Sequence, residues 1–233
     1  MAIDLETQVQ AARPLTTIFF LLDTSGSMEG TSIDSVNAAM RDAIPVVQQF
    51  AAENPDTDIR YCILEFNTEA RWMTEEIHNV EDFHWVDLQA NGLTALGAAY
   101  TKLNSKLSRK NGFLQEHANN APIIILLTDG APTDAADVAL EQLKQNKWFG
   151  QAIKIAIELP GSNRQCLVDF ATQEGVIPVS PENLRALLRV VAVRSSTIGS
   201  KSQGLSSESV TKDIIETVKE DMESGNPFDD IFN

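Results

Sequence analysis

The chain has 233 residues, 43% of them hydrophobic, and a formal net charge of −15, which fits one sizeable domain with its own core and a tail. That acidity excludes sequence-independent nucleic-acid binding, which needs a basic footprint, and disfavours adsorption to anionic lipid. It favours solubility, and cation uptake wherever carboxylates converge.

Met1 to Arg13 carries two acids, no basic n-region and no long apolar stretch. Residues 1–14 therefore read as a polar lead-in, and the apolar segment after Pro14 is too short to span a bilayer. The expected location is the cytoplasm. Cys62 and Cys166 are the only cysteines. They form no CxxC and no Cys/His ligand spacing, so zinc is not expected. Cys62 lies in the apolar run Tyr61 to Phe66 and reads as a small buried hydrophobe rather than a disulfide partner.

Thr16 to Leu22 is the first strand, and its apolar run, Ile18 to Leu22, ends abruptly in Asp23-Thr24-Ser25-Gly26-Ser27. Such a run suggests a strand buried on both faces. From Ser32 to Ala52, Ile33, Val36, Met40, Ile44, Val47 and Phe50 recur at helical spacing; Pro45 inside should kink or break that helix. Asn54-Pro55-Asp56 is a stop signal. Ile59 to Phe66 is a second strand, and Asn67-Thr68-Glu69 turns the chain back into Ala70 to Ile77, an antiparallel edge strand. Trp85 to Leu88 is a brief extended piece. The loop Asn91 to Thr94 leads into a helix over Ala95 to Leu107.

Ile123 to Leu127 is another buried strand, ending in Thr128-Asp129-Gly130. Thr133 or Asp134 is placed to cap the following helix. Ile153 to Ile157 and Val176 to Val179 are strands, with a short helix at Cys166 to Gln173 and a longer one at Leu184 to Val193. Strands alternating with helices predict a doubly wound α/β fold: a mostly parallel central sheet, one antiparallel edge strand, and helices on both faces. This domain covers residues 15–194. Residues 195–209, rich in Ser and Gly, read as a flexible linker. Residues 210–233 form an acidic tail whose Val210, Ile214, Ile215, Val218 and Met222 recur at helical spacing. From Ser196 onward there are three basic and eight acidic residues, so this end reads as a segment that docks to something or as a solubilising extension.

Three separated segments carry the chemistry. Asp23, Ser25 and Ser27 leave the first strand together, Thr94 opens a helix, and Asp129 ends the strand expected next to the first one. Each has a plain reading: turn residues for Asp23 and Ser25, an N-cap for Thr94, a turn dipeptide for Asp129-Gly130. In a doubly wound sheet, however, the two strands meet at the topological switch point, where ligands bind at the carboxyl ends. Their oxygens suit a hard divalent cation, Mg²⁺ or Mn²⁺.

Asp-x-Ser-x-Ser after an apolar strand, a distant Gly-x-Thr and a later Thr-Asp-Gly resemble the metal-ion-dependent adhesion site (MIDAS) of von Willebrand factor A (VWA) domains. All five positions of that pattern are present, as Asp23, Ser25, Ser27, Thr94 and Asp129. The wording DTSGSM, GLTALGAAY and LLTDGAPTD is most similar to the bacterial TerY/YegL-like tellurite-resistance group. The resemblance implies that Ser25, Ser27 and Thr94 offer hydroxyls to Mg²⁺ or Mn²⁺, ahead of Ca²⁺, and that Asp23 and Asp129 complete the shell partly through water. It also implies a partner protein that supplies an Asp or Glu to the metal, in a tellurite or stress-resistance system, with this chain as a subunit that serves an ATPase or a kinase/phosphatase pair. Self-association through the tail is a further expectation.

The competing class is a Mg²⁺-dependent phosphohydrolase with Asp23 as nucleophile. That chemistry wants a second carboxylate two residues on, where Ser25 stands. There is no GxxxxGK[ST] loop, and His78, His84 and His117 occupy no recognisable catalytic setting. The expectation is a binding module without catalysis of its own.

Overall fold

A computed structural model describes residues 14–56, 58–74, 78–114, 120–202 and 204–224. The lead-in up to residue 13 and the acidic-aromatic end from residue 225 lie outside the described residues.

The sheet is built around β1 (Leu15–Asp23), all nine residues of which are buried. It pairs in parallel with β2 (Asp58–Phe66) on one side and with β5 (Ile123–Thr128) on the other. Beyond β5 lie β6 (Ile153–Glu158) and β7 (Val176–Pro178), also parallel. Beyond β2 lies β3 (Ala70–Trp72), the antiparallel edge, giving the order β3-β2-β1-β5-β6-β7. Of the edge strand expected over Ala70 to Ile77, Ala70–Trp72 is extended and paired, and residues 75–77 lie outside the described residues. A two-residue piece, β4 (His78–Asn79), makes a second antiparallel pairing with β2.

Successive side chains of a strand face opposite sides, and β1 shows how the two cores divide. Ile18, Phe20 and Leu22 pack with α1 (Thr31–Glu53), α6 (Pro181–Ser200) and α7 (Ser207–Ser224). Phe19 and Leu21 pack with α2 (Leu96–Lys106), α3 (Ala136–Lys144), α4 (Lys147–Gln151) and α5 (Arg164–Ala171). With both faces covered, no strand position on β1 needs to be polar for solvent, which is why Ile18 to Leu22 is a continuous apolar run. Sheet and helices together form the doubly wound architecture expected from the alternation of strands and helices.

Some segments differ from the sequence reading. Pro45 does not break α1, which runs through it; the ring sits on the exposed side of the helix, where the carbonyl it leaves unpaired faces water rather than core. The short helix α4 was not anticipated; Asn146 starts it by accepting a hydrogen bond from Trp148 N at 2.9 Å. Residues 195–200, assigned above to a flexible linker, are the last turns of α6. Two of their hydroxyls bond back to the helix, Ser196 Oγ to Ala192 O at 2.7 Å and Ser200 Oγ to Thr197 O at 3.0 Å. Gly199 lets that end lie against the sheet, since a Cβ there would stand 2.4 Å from Ile123 Cδ1.

The helical stripe of the tail is α7, and it is bound to its own domain. Val210, Ile214, Ile215 and Val218 are buried in the α1/α6 core. Arg194 on α6 grips Asp221 on α7 in a two-pronged ion pair, Nε to Oδ2 at 2.5 Å and Nη2 to Oδ1 at 2.9 Å. The apolar face of α7 is thereby packed within the chain. Among the described residues no helix is long and apolar enough to cross a membrane. Cys62 is buried and both cysteines are free.

Candidate metal centre

The chain reverses its winding between β1 and β5, so the carboxyl ends of these neighbours border the crevice of the switch point. Asp23 is the last residue of β1, and Asp129 directly follows β5. Leaving β1, the backbone turns at once because Ser25 N donates to Asp23 Oδ1 at 2.8 Å, a side chain standing in for a backbone turn bond. Gly26–Met28 is a single 3-10 turn, pinned by the buried Met28. That turn brings Ser27 Oγ to 3.0 Å from Ser25 Oγ and lets it donate to Asp129 Oδ1 at 2.7 Å. Thr128 Oγ1 donates to Asp23 Oδ2. Asp23, Ser25, Ser27 and Asp129 are therefore brought together.

Thr94 arrives on a third segment. Asn91 N donates to Thr24 O at 2.8 Å and Gly26 N to Gly92 O at 3.0 Å, lacing the 91–94 loop to the exit of β1. Thr94 N donates to Thr133 Oγ1 at 3.2 Å, and Thr133 N to Thr94 O at 2.9 Å. Its hydroxyl lies against the residue after Asp129, for a Cβ built on Gly130 would sit 2.8 Å from Thr94 Oγ1. Among the described residues this hydroxyl makes no hydrogen bond of its own. All five residues singled out in the sequence thus border one crevice.

Neither plain reading of the helix starts holds. Thr94 does not cap α2, whose first amides at Gly97 and Ala98 instead donate to Asp134 Oδ1 and Oδ2 at 2.8 and 2.9 Å. Asp134 and Thr133 do not cap α3 either; its N-cap position is Ala135, without a side-chain bond. Sequence reasoning looked for local caps, whereas this carboxylate caps a helix from another loop. Thr128 was also missed as a support of Asp23, although it stands beside Asp129 in the Thr-Asp-Gly wording.

Both carboxyls are held above their ordinary range. For Asp23, burial is the main cause; bonds from Thr128 and Ser25 pull the other way, and the charge of Asp129 adds to the rise. For Asp129, burial raises it and the Ser27 bond opposes. No Lys or Arg pairs with either acid among the described residues. Two desolvated like charges without a counter-ion are costly, and a divalent cation is the group that would relieve both.

The donor set fits that cation. It offers oxygens alone, two anionic and three neutral, which suit a hard ion such as Mg²⁺ or Mn²⁺. Among the described residues no cluster of three or more His, Cys, Asp or Glu occurs, so hydroxyls rather than further acids or imidazoles fill the remaining places. His84 is exposed and its Nδ1 lies 2.9 Å from Asp82 O, away from this crevice; His117 lies outside the described residues.

Residues 18–131 match the family model of the von Willebrand factor type A domain. No curated protein matches the chain. Among solved structures, a von Willebrand factor type A protein from Catenulispora acidiphila is 16% identical with a TM-score of 0.56, over 79% of this chain and 43% of that one. The ArnB paralog VWA2 from Sulfolobus acidocaldarius is 20% identical with a TM-score of 0.52, over 76% and 44%. Proximal thread matrix protein 1 of the mussel byssus, in a form with a zinc-occupied MIDAS motif, is 16% identical with a TM-score of 0.52, over 77% and 46%. The aligned region is less than half the length of each of these chains. The likeness carries the fold.

Proposed function

From a chain that carries a von Willebrand factor type A domain, we propose a metal-dependent protein–protein interaction module with no catalysis of its own. One observation carries this reading: two buried carboxylates without a cationic partner, joined by hydroxyls into a single oxygen cluster at the switch point. Asp23, Ser25, Ser27, Thr94 and Asp129 would hold Mg²⁺ or Mn²⁺. The byssus protein with its zinc-occupied motif supports a divalent ion on this fold, while the all-oxygen donors favour a harder ion than zinc.

When bound, the ion supplies an electrophilic point able to take a carboxylate oxygen of a partner. The chain's part is to keep its charge low there. Two acids only neutralise a divalent ion, and the hydroxyls of Ser25, Ser27 and Thr94 add none. An acidic partner group is therefore attracted at short range, although the net charge of −15 repels it at distances that salt screens.

The phosphohydrolase reading is disfavoured by the state of Asp23. It is fully buried, and each of its oxygens accepts a hydrogen bond, from Ser25 N and from Thr128. That orients a ligand and blunts a nucleophile. The local wording quoted above supports service in a bacterial tellurite or stress-resistance system, with an ATPase or a kinase/phosphatase pair as partner.

Recovery of partners from a native extract, with Mg²⁺ and with chelator, tests the proposal. Partners retained only with the ion support it; identical recovery in both, or from an Asp129→Ala chain, contradicts it. Phosphate-ester turnover that disappears in Asp23→Asn would restore the enzyme reading.

A further inference from the structure

The chain's cations are not spread evenly. Residues 101–115 and 142–157 hold seven of its 18 basic residues and none of its 33 acids. The fold joins these two segments at the end of the sheet where the strands begin. The chain leaving α2 returns to the first residue of β1, with Asn120 N donating to Leu15 O at 2.9 Å, and α4 leads straight into β6. Asn146, at the start of α4, ties the segments together through Nδ2, which donates to Asn104 Oδ1 at 2.9 Å and to Leu107 O at 3.1 Å. The metal residues lie at the opposite end of the same strands.

Two of the seven are satisfied locally: Lys144 pairs with Glu141, and Lys154 Nζ donates to the carbonyls of Phe149 and Ala152. Lys102, Lys106, Arg109, Lys110 and Lys147 enter no ion pair among the described residues. Elsewhere Arg41, Arg60, Arg71, Arg164, Arg185 and Arg194 each grip an Asp or Glu. In this patch aromatic faces take that place. Lys106 Nζ lies 4.5 Å over the Phe113 ring, and the Arg109 guanidinium 4.5 Å over that of Trp148. Such stacking steadies a side chain and leaves its charge open to an anion. The dipole of α2 accounts for Lys106 in its last turn. It does not account for Lys147, which stands in the first turn of α4, the end that disfavours a cation. Glu116, the next acid after Lys110, lies outside the described residues.

We propose that this basic patch is a docking surface for a short acidic segment of a partner protein, and that it works without the metal. Without its seven cations the formal charge of −15 would be −22, so the rest of the chain repels anions. A nucleic-acid duplex or an anionic membrane extends beyond the patch and meets that repulsion. A short run of Asp and Glu ends inside it. Arg109 and the lysines supply charge-assisted hydrogen bonds to its carboxylates. The contact lies at the other end of the strands from the crevice, so it adds to the metal-dependent reading and does not rest on it.

Fluorescence anisotropy of a labelled peptide of about eight glutamates, titrated with the full chain at low ionic strength, tests the proposal. The peptide should bind equally with Mg²⁺ and with chelator. A Lys102→Gln/Arg109→Gln/Lys110→Gln variant, altered only at exposed positions, should bind it at least about tenfold more weakly. An Arg41→Gln/Arg185→Gln/Lys212→Gln variant loses as much charge from other exposed positions, and its affinity should stay within about twofold. No binding, equal weakening in both variants, or loss of binding with chelator overturns the proposal. So does tighter binding of an oligothymidylate of the same charge, or of phosphatidylserine vesicles, since either assigns the patch to another class of anion.

Discussion

Ser27 and Asp129 are 102 residues apart in sequence, yet Ser27 Oγ donates to Asp129 Oδ1 at 2.7 Å. This bond closes the crevice between the exits of β1 and β5, and each partner is also a proposed metal ligand. Replacing Asp129 with Ala should therefore remove a charged ligand and release Ser27 together. Calorimetric titration with Mg²⁺ or Mn²⁺ should show affinity reduced by at least about tenfold, the effect of ~1.4 kcal/mol. The same affinity in the variant would separate Asp129 from the site.

Asp134 ties the site to helix α2. Through Gly97 N and Ala98 N it caps the helix that begins just after Thr94, so Asp134→Ala should cost about 1 kcal/mol of stability. Denaturant unfolding reads that loss. Because the same loop holds Thr94 N through Thr133, metal affinity should fall as well, although Asp134 is not a ligand. A loss of stability with unchanged affinity would show that Thr94 is placed independently.

Gly130→Ala probes Thr94 more directly. The added Cβ would stand 2.8 Å from Thr94 Oγ1, closer than real carbon–oxygen contacts, so the hydroxyl must move. Weaker metal binding is expected, with a far-UV spectrum like that of the unaltered chain. Titration is the check, and an unaltered isotherm would place the Thr94 hydroxyl outside the shell.

The ion pair between α6 and α7 sets a stability test. Arg194 and Asp221 expose only 12% of each side chain, so Asp221→Ala takes a two-pronged carboxylate away from a largely buried guanidinium. A loss of about 3 kcal/mol is expected, readable as a lower urea midpoint. A change under about 0.5 kcal/mol would mean that this ion pair contributes little to holding α7 on the domain.

Acid should act on the site with a defined sign. Burial raises Asp23 and Asp129 above the ordinary value of 3.8. Their contribution to metal-free stability is therefore fully present below that value and lost as pH rises through the raised folded values. A divalent ion favours the ionised pair and reverses the trend. Melting temperatures with Mg²⁺ and with chelator should thus differ more at about pH 7.5 than at about pH 4.5. A metal increment that grows on acidification would contradict the assignment of these carboxyls.

Much of this architecture is legible in the chain because its signals are local. β1 and β5 announce themselves as apolar runs that stop at an acid, and α1 as a long helical stripe. The meeting of Asp23, Thr94 and Asp129 follows from topology once the strands are placed. What escaped depends on distant partners. Ser195 to Ser200 has the composition of a linker but is helical, with the hydroxyls of Ser196 and Ser200 bonded within the helix and Gly199 packed on Ile123. Asp134 has the position of a local cap but serves α2 across the loop. The stripe of α7 reads as a docking segment or a solubilising extension, and it is packed on its own domain because Val210, Ile214, Ile215 and Val218 find the core of other elements and Asp221 finds Arg194.

The most direct test of the central claim is anomalous diffraction from crystals of the full chain soaked in Mn²⁺. A peak about 2.2 Å from the hydroxyls of Ser25 and Ser27, with Thr94 and the two carboxylates around it, is the predicted result. A crevice without a peak at saturating Mn²⁺, in which Ser27 still donates to Asp129, would contradict it.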